Sequence, residues 1–233
     1  MSVVSIDEVH VFQADISPEG LVDLDLCWKL LGEVERTRAE RFRYDLHRDR
    51  YVRAHGQLQI VLADYLNMGG GRVAIETKAG GKPFIPGHDI QFNMSHSADV
   101  AVNAITMVDA IGIDVELFDR RVEVDDLSAH YYTQAEQNLL SGLSTEERHQ
   151  AFFWLWTAKE ARMKLTGEGL ALDPRNIDVG FQANRPATYK LPLAPLAHPL
   201  PVQFDNFEGA CTVAGFSKLN PVVRSMEDLL LRS

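Results

Sequence analysis

Gly112-Ile113-Asp114-Val115-Glu116 is the stretch on which the reading of this chain turns. Across residues 110–116, Ile111, Ile113 and Val115 alternate with Gly112, Asp114 and Glu116, the period-two pattern of a strand. Side chains two apart on a strand point the same way. The two carboxylates therefore share a face, with a glycine that has no side chain beside them. Two acids at that spacing repel each other unless a cation stands between them. Alone, such a pair is an ordinary solvated strand face. Its meaning depends on the rest of the chain.

Upstream, residues 3–14 alternate loosely and predict a first strand, and 24–44 carry leucines and charges at helical spacing. A helix is expected over 50–66, ended by Gly69-Gly70-Gly71. A short strand over 73–75 precedes the turn Gly80-Gly81-Lys82-Pro83. Strands over 90–94 and 100–106 flank Ser95-His96-Ser97. Downstream, helices are expected over 125–130, 133–143 and 146–165, the second opened by a Thr133-Gln134-Ala135-Glu136 capping box. Strands over 177–181, 202–204 and 211–216 follow, and the proline-rich 184–201 reads as a surface loop. Ile90-Gln91-Phe92 with 100–105 faintly resembles Val202-Gln203-Phe204 with 211–216, which suggests two lobes of similar topology.

At 233 residues the chain can hold one large domain or two lobes. Its 33 acidic and 23 basic residues give a net charge of −10, which argues against non-specific binding to nucleic acid or anionic membranes. Cys27 and Cys211 stand far apart among apolar neighbours and are expected as buried thiols. No N-terminal signal pattern and no apolar run approaching about 20 residues is visible, so the expected location is cytoplasmic.

Three further patches carry chemistry. In Trp156-Thr157-Ala158-Lys159-Glu160-Ala161-Arg162-Met163-Lys164, Glu160 and Lys164 lie four apart on one helix face. That spacing alone is a surface ion pair. The apolar run 152–156 before it predicts a helix buried nearly all round, whose charges need partners. In Phe92-Asn93-Met94-Ser95-His96-Ser97, backbone amides, hydroxyls and His96 could cradle an anion, or simply form a turn. Gly81-Lys82-Pro83 is a tight turn that could present Lys82 to a ligand. Seven arginines between 36 and 53 are uneven in so acidic a chain, and suggest a site for a small polyanion.

Taken together, GKPFI (81–85), FNMSHS (92–97), GIDVE (112–116) and WTAKEARMKLTGEGL (156–170) resemble, in order and spacing, the Sfp-type 4′-phosphopantetheinyl transferases. That group primes carrier proteins of fatty-acid, polyketide and peptide synthetases. The resemblance implies an α+β fold of two similar lobes related by a pseudo-twofold axis, with coenzyme A in the cleft between them. Residues 1–108 would form the nucleotide-side lobe and 109–233 the lobe with the magnesium site and catalytic helix. It implies Mg²⁺ ligation by Asp114, Glu116 and Glu160, with Asp114, Glu160 and Lys164 as the catalytic set. Arg38, Arg50, Lys82, Pro83, Ser95, His96, Lys159 and Lys164 would bind coenzyme A.

One position that is often basic in the family is Glu35 here, leaving Arg36 and Arg38 as substitutes. The implied reaction moves the 4′-phosphopantetheine arm to a serine of an acyl or peptidyl carrier protein and releases 3′,5′-ADP. The base is left open between Glu160, a metal-held water and Glu136. The expected partners are coenzyme A and the carrier protein, with no nucleic acid or membrane, and the chain is expected as a monomer. Residues 117–145, with Arg120 and Arg121, are the candidate carrier surface. The competing functions are a metal-dependent nucleotide phosphohydrolase and a non-catalytic coenzyme A or carrier-binding module.

Overall fold

The structure, a computed structural model, describes residues 5, 7–78, 80–190, 196–205 and 207–230. The first strand, β1 (Glu8–Asp15), is followed by α1 (Leu24–Leu30), α2 (Glu33–Ala39) and α3 (Asp45–Tyr65). A minimal hairpin, β2 (Glu76–Thr77) and β3 (Pro83–Phe84), leads to β4 (Gln91–Ser97), β5 (Val100–Thr106) and β6 (Ile111–Leu117). Then come α4 (Val124–Tyr131), α5 (Gln134–Ser141) and α6 (Thr145–Thr166). The hairpin β7 (Val179–Gln182) and β8 (Arg185–Tyr189) follows, with β9 (His198–Val202), β10 (Gly209–Gly215), β11 (Asn220–Ser225) and α7 (Met226–Leu230). The chain is mixed α+β.

Two sheets carry the architecture. One has the order β11-β1-β5-β4, and the other β6-β10-β9. The period-two rule sorts their side chains. Val9 and Val11 of β1 and Val102 and Ala104 of β5 share one core with Ile111, Ile113, Val115, Cys211 and Val213 of the second sheet. The alternate residues, Phe12 and Ala14 of β1 with Ala101 and Ile105 of β5, pack on Leu58, Val61 and Leu62 of α3. On the far side of the second sheet, Ala210 and Ala214 meet Phe152, Leu155, Ala158 and Ala161 of α6. The layers therefore run α3, sheet, sheet, α6.

Several sequence expectations are corrected. The helix expected over 24–44 is broken, because Leu31 is extended and Gly32 caps α2, its amide donating to Glu35 Oε2 at 2.7 Å. The strand expected over 73–75 moves to β2 and β3. Ser95, His96 and Ser97 lie within β4 rather than in a turn. The proline-rich loop contains β8 and most of β9, while its residues 191–195 lie outside the described ones. Pro199 and Pro201 fit because β9 is an edge strand and they are two apart, so both missing N–H groups face the same, unpaired side. The first strand begins at Glu8, and residues 3, 4 and 6 lie outside the described ones. Cys27 and Cys211 are free and buried. Among the described residues, no helix is long and apolar enough to cross a membrane.

Candidate active site

The alternation in β6 decides which of its groups face α6. With Ile111, Ile113 and Val115 turned to the first sheet, Gly112, Asp114 and Glu116 turn the other way. At Gly112 the helix backbone lies directly against this strand's face. A Cβ there would lie 2.1 Å from the Ala161 carbonyl oxygen and 2.5 Å from the Leu165 nitrogen. That contact seats the last turns of α6 directly on the strand and brings Lys164 to Asp114, Nζ to Oδ1 at 2.7 Å. The capping box at Ser144 and the left-handed Gly167 (φ 75°) fix the two ends of α6.

β4 supplies the third wall. Asn93, Ser95 and Ser97 alternate along it, and each is bonded to β6. Asn93 Oδ1 accepts from the Ile113 amide at 2.9 Å, Ser95 Oγ donates to Asp114 Oδ1 at 2.7 Å, and Ser97 Oγ donates to Glu116 Oε2 at 2.8 Å. Lys164 Nζ also donates to Ser95 Oγ at 2.9 Å and to the Ile113 carbonyl at 3.2 Å. Asp114 is 5% exposed, and its second oxygen, Oδ2, is buried with no hydrogen-bond partner. A buried carboxylate oxygen without a donor is costly, and it marks the point where the site lacks a positive group.

Electrostatics point the same way. Desolvation, followed by the Asp114 charge, pushes the Glu160 carboxyl up, with Lys164 opposing. Desolvation likewise raises Glu116, with Ser97 and Arg120 pulling down and Asp114 pushing up. All three acids thus feel one another across one cavity wall. Their donors are oxygen only, the set that suits Mg²⁺. Two of them already hold internal cations: Asp114 has Lys164, and Glu116 Oε1 has Arg120 Nη1 at 2.9 Å. Among the described residues, no group of three or more His, Cys, Asp or Glu is gathered closely enough to hold a metal ion. The chemistry and the orphaned oxygen fit a magnesium ion, with these carboxylates still to be drawn together around it.

These groups border a cavity of about 1200 Å³. Its wall includes Arg38, Pro83, Ser95, His96, Asp114, Glu116, Glu160 and Lys164, all singled out in the sequence. Tyr51, His55, Arg72 and Trp156 also line it and were missed as site residues. Tyr51 and His55 had a usable signal, one helical turn apart in α3, with rings 3.9 Å between centroids. Arg72 had none. The Arg38 guanidinium lies over the Tyr51 ring at 5.4 Å. Desolvation holds the His55 imidazole down at about 4, and His96 and Arg38 add to this. Desolvation and then Lys164 also lower His96. Both rings are therefore neutral at pH 7, hydrogen-bonding surfaces beside a fixed guanidinium.

Other expected ligand groups are turned to internal duties. Lys159 is 1% exposed and faces away from the cavity; its Nζ meets Glu136 Oε2 at 2.8 Å and the Pro174 and Ile177 carbonyls at 2.8 and 2.6 Å. Glu136 also accepts from the Thr133 and Val179 amides, so this acid, too, is structural. Lys82 Nζ donates to the Ile111 and Leu165 carbonyls at 2.8 and 2.6 Å, tying the GKP turn to β6 and α6. Arg50 pairs with Asp99 at 2.7 Å. Arg36 donates to the Trp28 and Lys29 carbonyls, and Arg53 to those of Val22 and Pro18. Of the seven clustered arginines, Arg38 alone borders the large cavity.

Fold and site together give a mixed α+β protein whose large cavity is walled by the three acids Asp114, Glu116 and Glu160 together with a lysine, two arginines and two histidines. A profile of the 4′-phosphopantetheinyl transferase superfamily matches residues 110–211. The 4′-phosphopantetheinyl transferase HetI of Nostoc sp. is 34% identical over 216 residues, covering 90% of this chain and 89% of that protein. The 4′-phosphopantetheinyl transferase psf-1 of Bacillus pumilus is 31% identical over 163 residues, covering 68% and 67%. Sfp of Bacillus subtilis is 28% identical over 121 residues, covering 52% and 53%. A solved holo-(acyl-carrier-protein) synthase of Bacillus anthracis, in complex with CoA (3′,5′-ADP), has a TM-score of 0.39 and 22% identity, covering 45% of this chain and 92% of that one. The chain belongs to the 4′-phosphopantetheinyl transferase superfamily. It is a transferase of the phosphopantetheine arm.

Proposed function

We propose that this transferase takes the 4′-phosphopantetheine arm from coenzyme A and delivers it, with Mg²⁺, to a serine of an acyl or peptidyl carrier protein. The observation that carries this reading is the Asp114 carboxylate, held by Lys164 and Ser95 on one oxygen and buried without a partner on the other, in the wall of a nucleotide-sized cavity.

In the reaction the serine Oγ attacks the β-phosphorus of coenzyme A. The bond from that phosphorus to the bridging oxygen breaks, and 3′,5′-ADP leaves with that oxygen. Lys164 neutralises charge on the pyrophosphate and on the leaving phosphate, at most a short rotation from its present position on Asp114. Arg38 and His96, with Ser95 and Pro83, hold the nucleotide in the large cavity. Asp114, Glu116 and Glu160 would hold Mg²⁺, which when bound supplies Lewis-acid neutralisation of the pyrophosphate. The serine proton goes to Glu160 or to a water. Burial and repulsion raise the Glu160 carboxyl while no metal is bound, and an ion held by it would lower its basicity again, so a water is the better base when Glu160 is a ligand.

The same reading takes residues 1–108 and 109–233 as two lobes related by a pseudo-twofold axis, a cytoplasmic monomer as the working form, and the surface over 117–145 as the place where the carrier docks. Charge reversal at Arg120 and Arg121 that leaves carrier affinity unchanged would remove that surface from the proposal. The central test incubates the purified protein with apo carrier protein, coenzyme A and Mg²⁺, and follows the carrier by mass spectrometry. Gain of the phosphopantetheine mass, lost with EDTA and with Asp114→Ala, is expected. No gain across several carrier proteins would overturn the substrate assignment, and full activity in EDTA would overturn the metal.

A further inference from the structure

Glu116 is the one carboxylate of the three whose two oxygens both have a protein partner. Oε2 accepts from Ser97 Oγ at 2.8 Å, and Oε1 faces Arg120 Nη1 at 2.9 Å. The glutamate side chain is 13% exposed and the arginine 57% exposed, so the pair sits at the surface end of the site. Arg120 is not loose, however. Its carbonyl accepts from His149 Nε2 on α6 at 3.1 Å, which fixes the backbone from which the guanidinium reaches back. The pair also borders a second cavity of about 500 Å³, lined by His96, Ser97, Ala98, Glu116, Asp119 and Arg120. His96 and Glu116 line both cavities, while Arg120 lines only the second, so it reaches Glu116 from outside the large cavity.

Lys164 has an alternative anion to turn to once a pyrophosphate is bound, whereas Arg120 does not line the large cavity and stays with Glu116. We propose that Arg120 is a built-in counter-ion for Glu116 that competes with the divalent cation, holding down the metal affinity of the nucleotide-free site. The inference rests on the magnesium reading above and deepens it. A cation drawing on Glu116 must displace or share the guanidinium and works against its charge at close range. The pyrophosphate adds negative charge that restores the balance. The metal is then taken up with the nucleotide rather than before it, and the ion pair keeps Glu116 from repelling Asp114 while the site waits.

The test measures Mn²⁺ binding directly, by the loss of the free-ion electron paramagnetic resonance signal, on the protein at low salt with and without coenzyme A, which carries the pyrophosphate, with Mn²⁺ and coenzyme A alone as the blank. Arg120→Ala should bind Mn²⁺ about three- to tenfold more tightly than the unaltered protein without nucleotide. The gap should narrow once coenzyme A is present. Arg120→Lys, which keeps the charge, should stay close to the unaltered protein. Arg121→Ala, the same charge change one residue along, should shift binding less than Arg120→Ala does. Unchanged or weaker binding in Arg120→Ala would overturn the proposal, because a merely structural role for Arg120 predicts weaker binding. An unaltered protein that takes up no Mn²⁺ even with coenzyme A would instead overturn the magnesium reading itself.

Discussion

Gly112→Ala adds a single methyl group between β6 and α6. That carbon would stand 2.1 Å from the Ala161 carbonyl oxygen, 2.5 Å from the Leu165 nitrogen and 3.0 Å from the Lys164 carbonyl carbon, where ordinary contact begins at 3.4 Å. All three are backbone atoms, so no side chain can swing aside. The helix must back away by about 1 Å or the strand must bend, and overpacking of this kind costs about 1–3 kcal/mol. The same displacement pulls Lys164 off Asp114 and Glu160 off the acid wall. A misplacement of about 1 Å at a reacting centre lowers turnover about 100-fold. Urea unfolding followed by tryptophan fluorescence reads the first effect, and carrier-protein modification the second. Gly142→Ala is the control: its φ is −85° and the nearest atom to its new Cβ is 3.6 Å away, so its stability should change by less than about 1 kcal/mol. If Gly112→Ala unfolds at the same urea concentration as the unaltered protein and still transfers at full rate, the close strand–helix contact does not position the site.

Three further outcomes follow from the same geometry. Glu136→Gln or Lys159→Met alone should cost about 3–5 kcal/mol, since each leaves a buried charge without its partner. The double variant should cost clearly less than the two together, and additive losses in urea would show the pair is not coupled. Desolvation and the Asp114 charge raise the folded Glu160 carboxyl above 4.5, so the folded state binds the extra proton. Stability should therefore rise as pH falls toward 4.5 on this group's account, and Glu160→Gln should be the more stable protein at pH 7, with the gain fading in acid and transfer lost. Equal melting temperatures across pH 4–8 would refute it. Lys82→Met leaves the Ile111 and Leu165 carbonyls without their donor and should cost about 1–3 kcal/mol in urea. A raised KM for coenzyme A with no loss of stability would return Lys82 to ligand binding.

Much of this was legible because it was periodic. The alternation across 110–116 placed Asp114 and Glu116 on one face, and the aromatic run before Trp156 announced α6 as buried; Phe152, Phe153 and Trp154 are each 2% exposed or less. Other groups failed to show because their duty depends on what comes near from far along the chain. Lys159 stands beside Glu160 in sequence, yet helical geometry turns it toward Glu136 and residues 174–177. The arginines of 36–53 read as one basic patch, but most reach separate carbonyls and carboxylates that no spacing reveals. Glu35, set by the resemblance against an often basic position, has a local duty that spacing did not reveal, since it caps the helix that Gly32 opens. The prolines of β9 hid a strand because they suit only an edge, and edges cannot be read from composition.

The parallel pairing of β11 with β1 joins Glu8 to Asn220 and Gln13 to Ser225. During synthesis the strand at 8–15 exists long before its partner at 220–225 has been made. For that interval one side of the first sheet is an open row of amide and carbonyl groups, the kind of edge that pairs with other chains. A chain that has been made only up to residue 219 holds all of the site's residues with that flank bare. The yield of soluble protein should therefore depend on the short, largely exposed β11 more than its few buried atoms suggest.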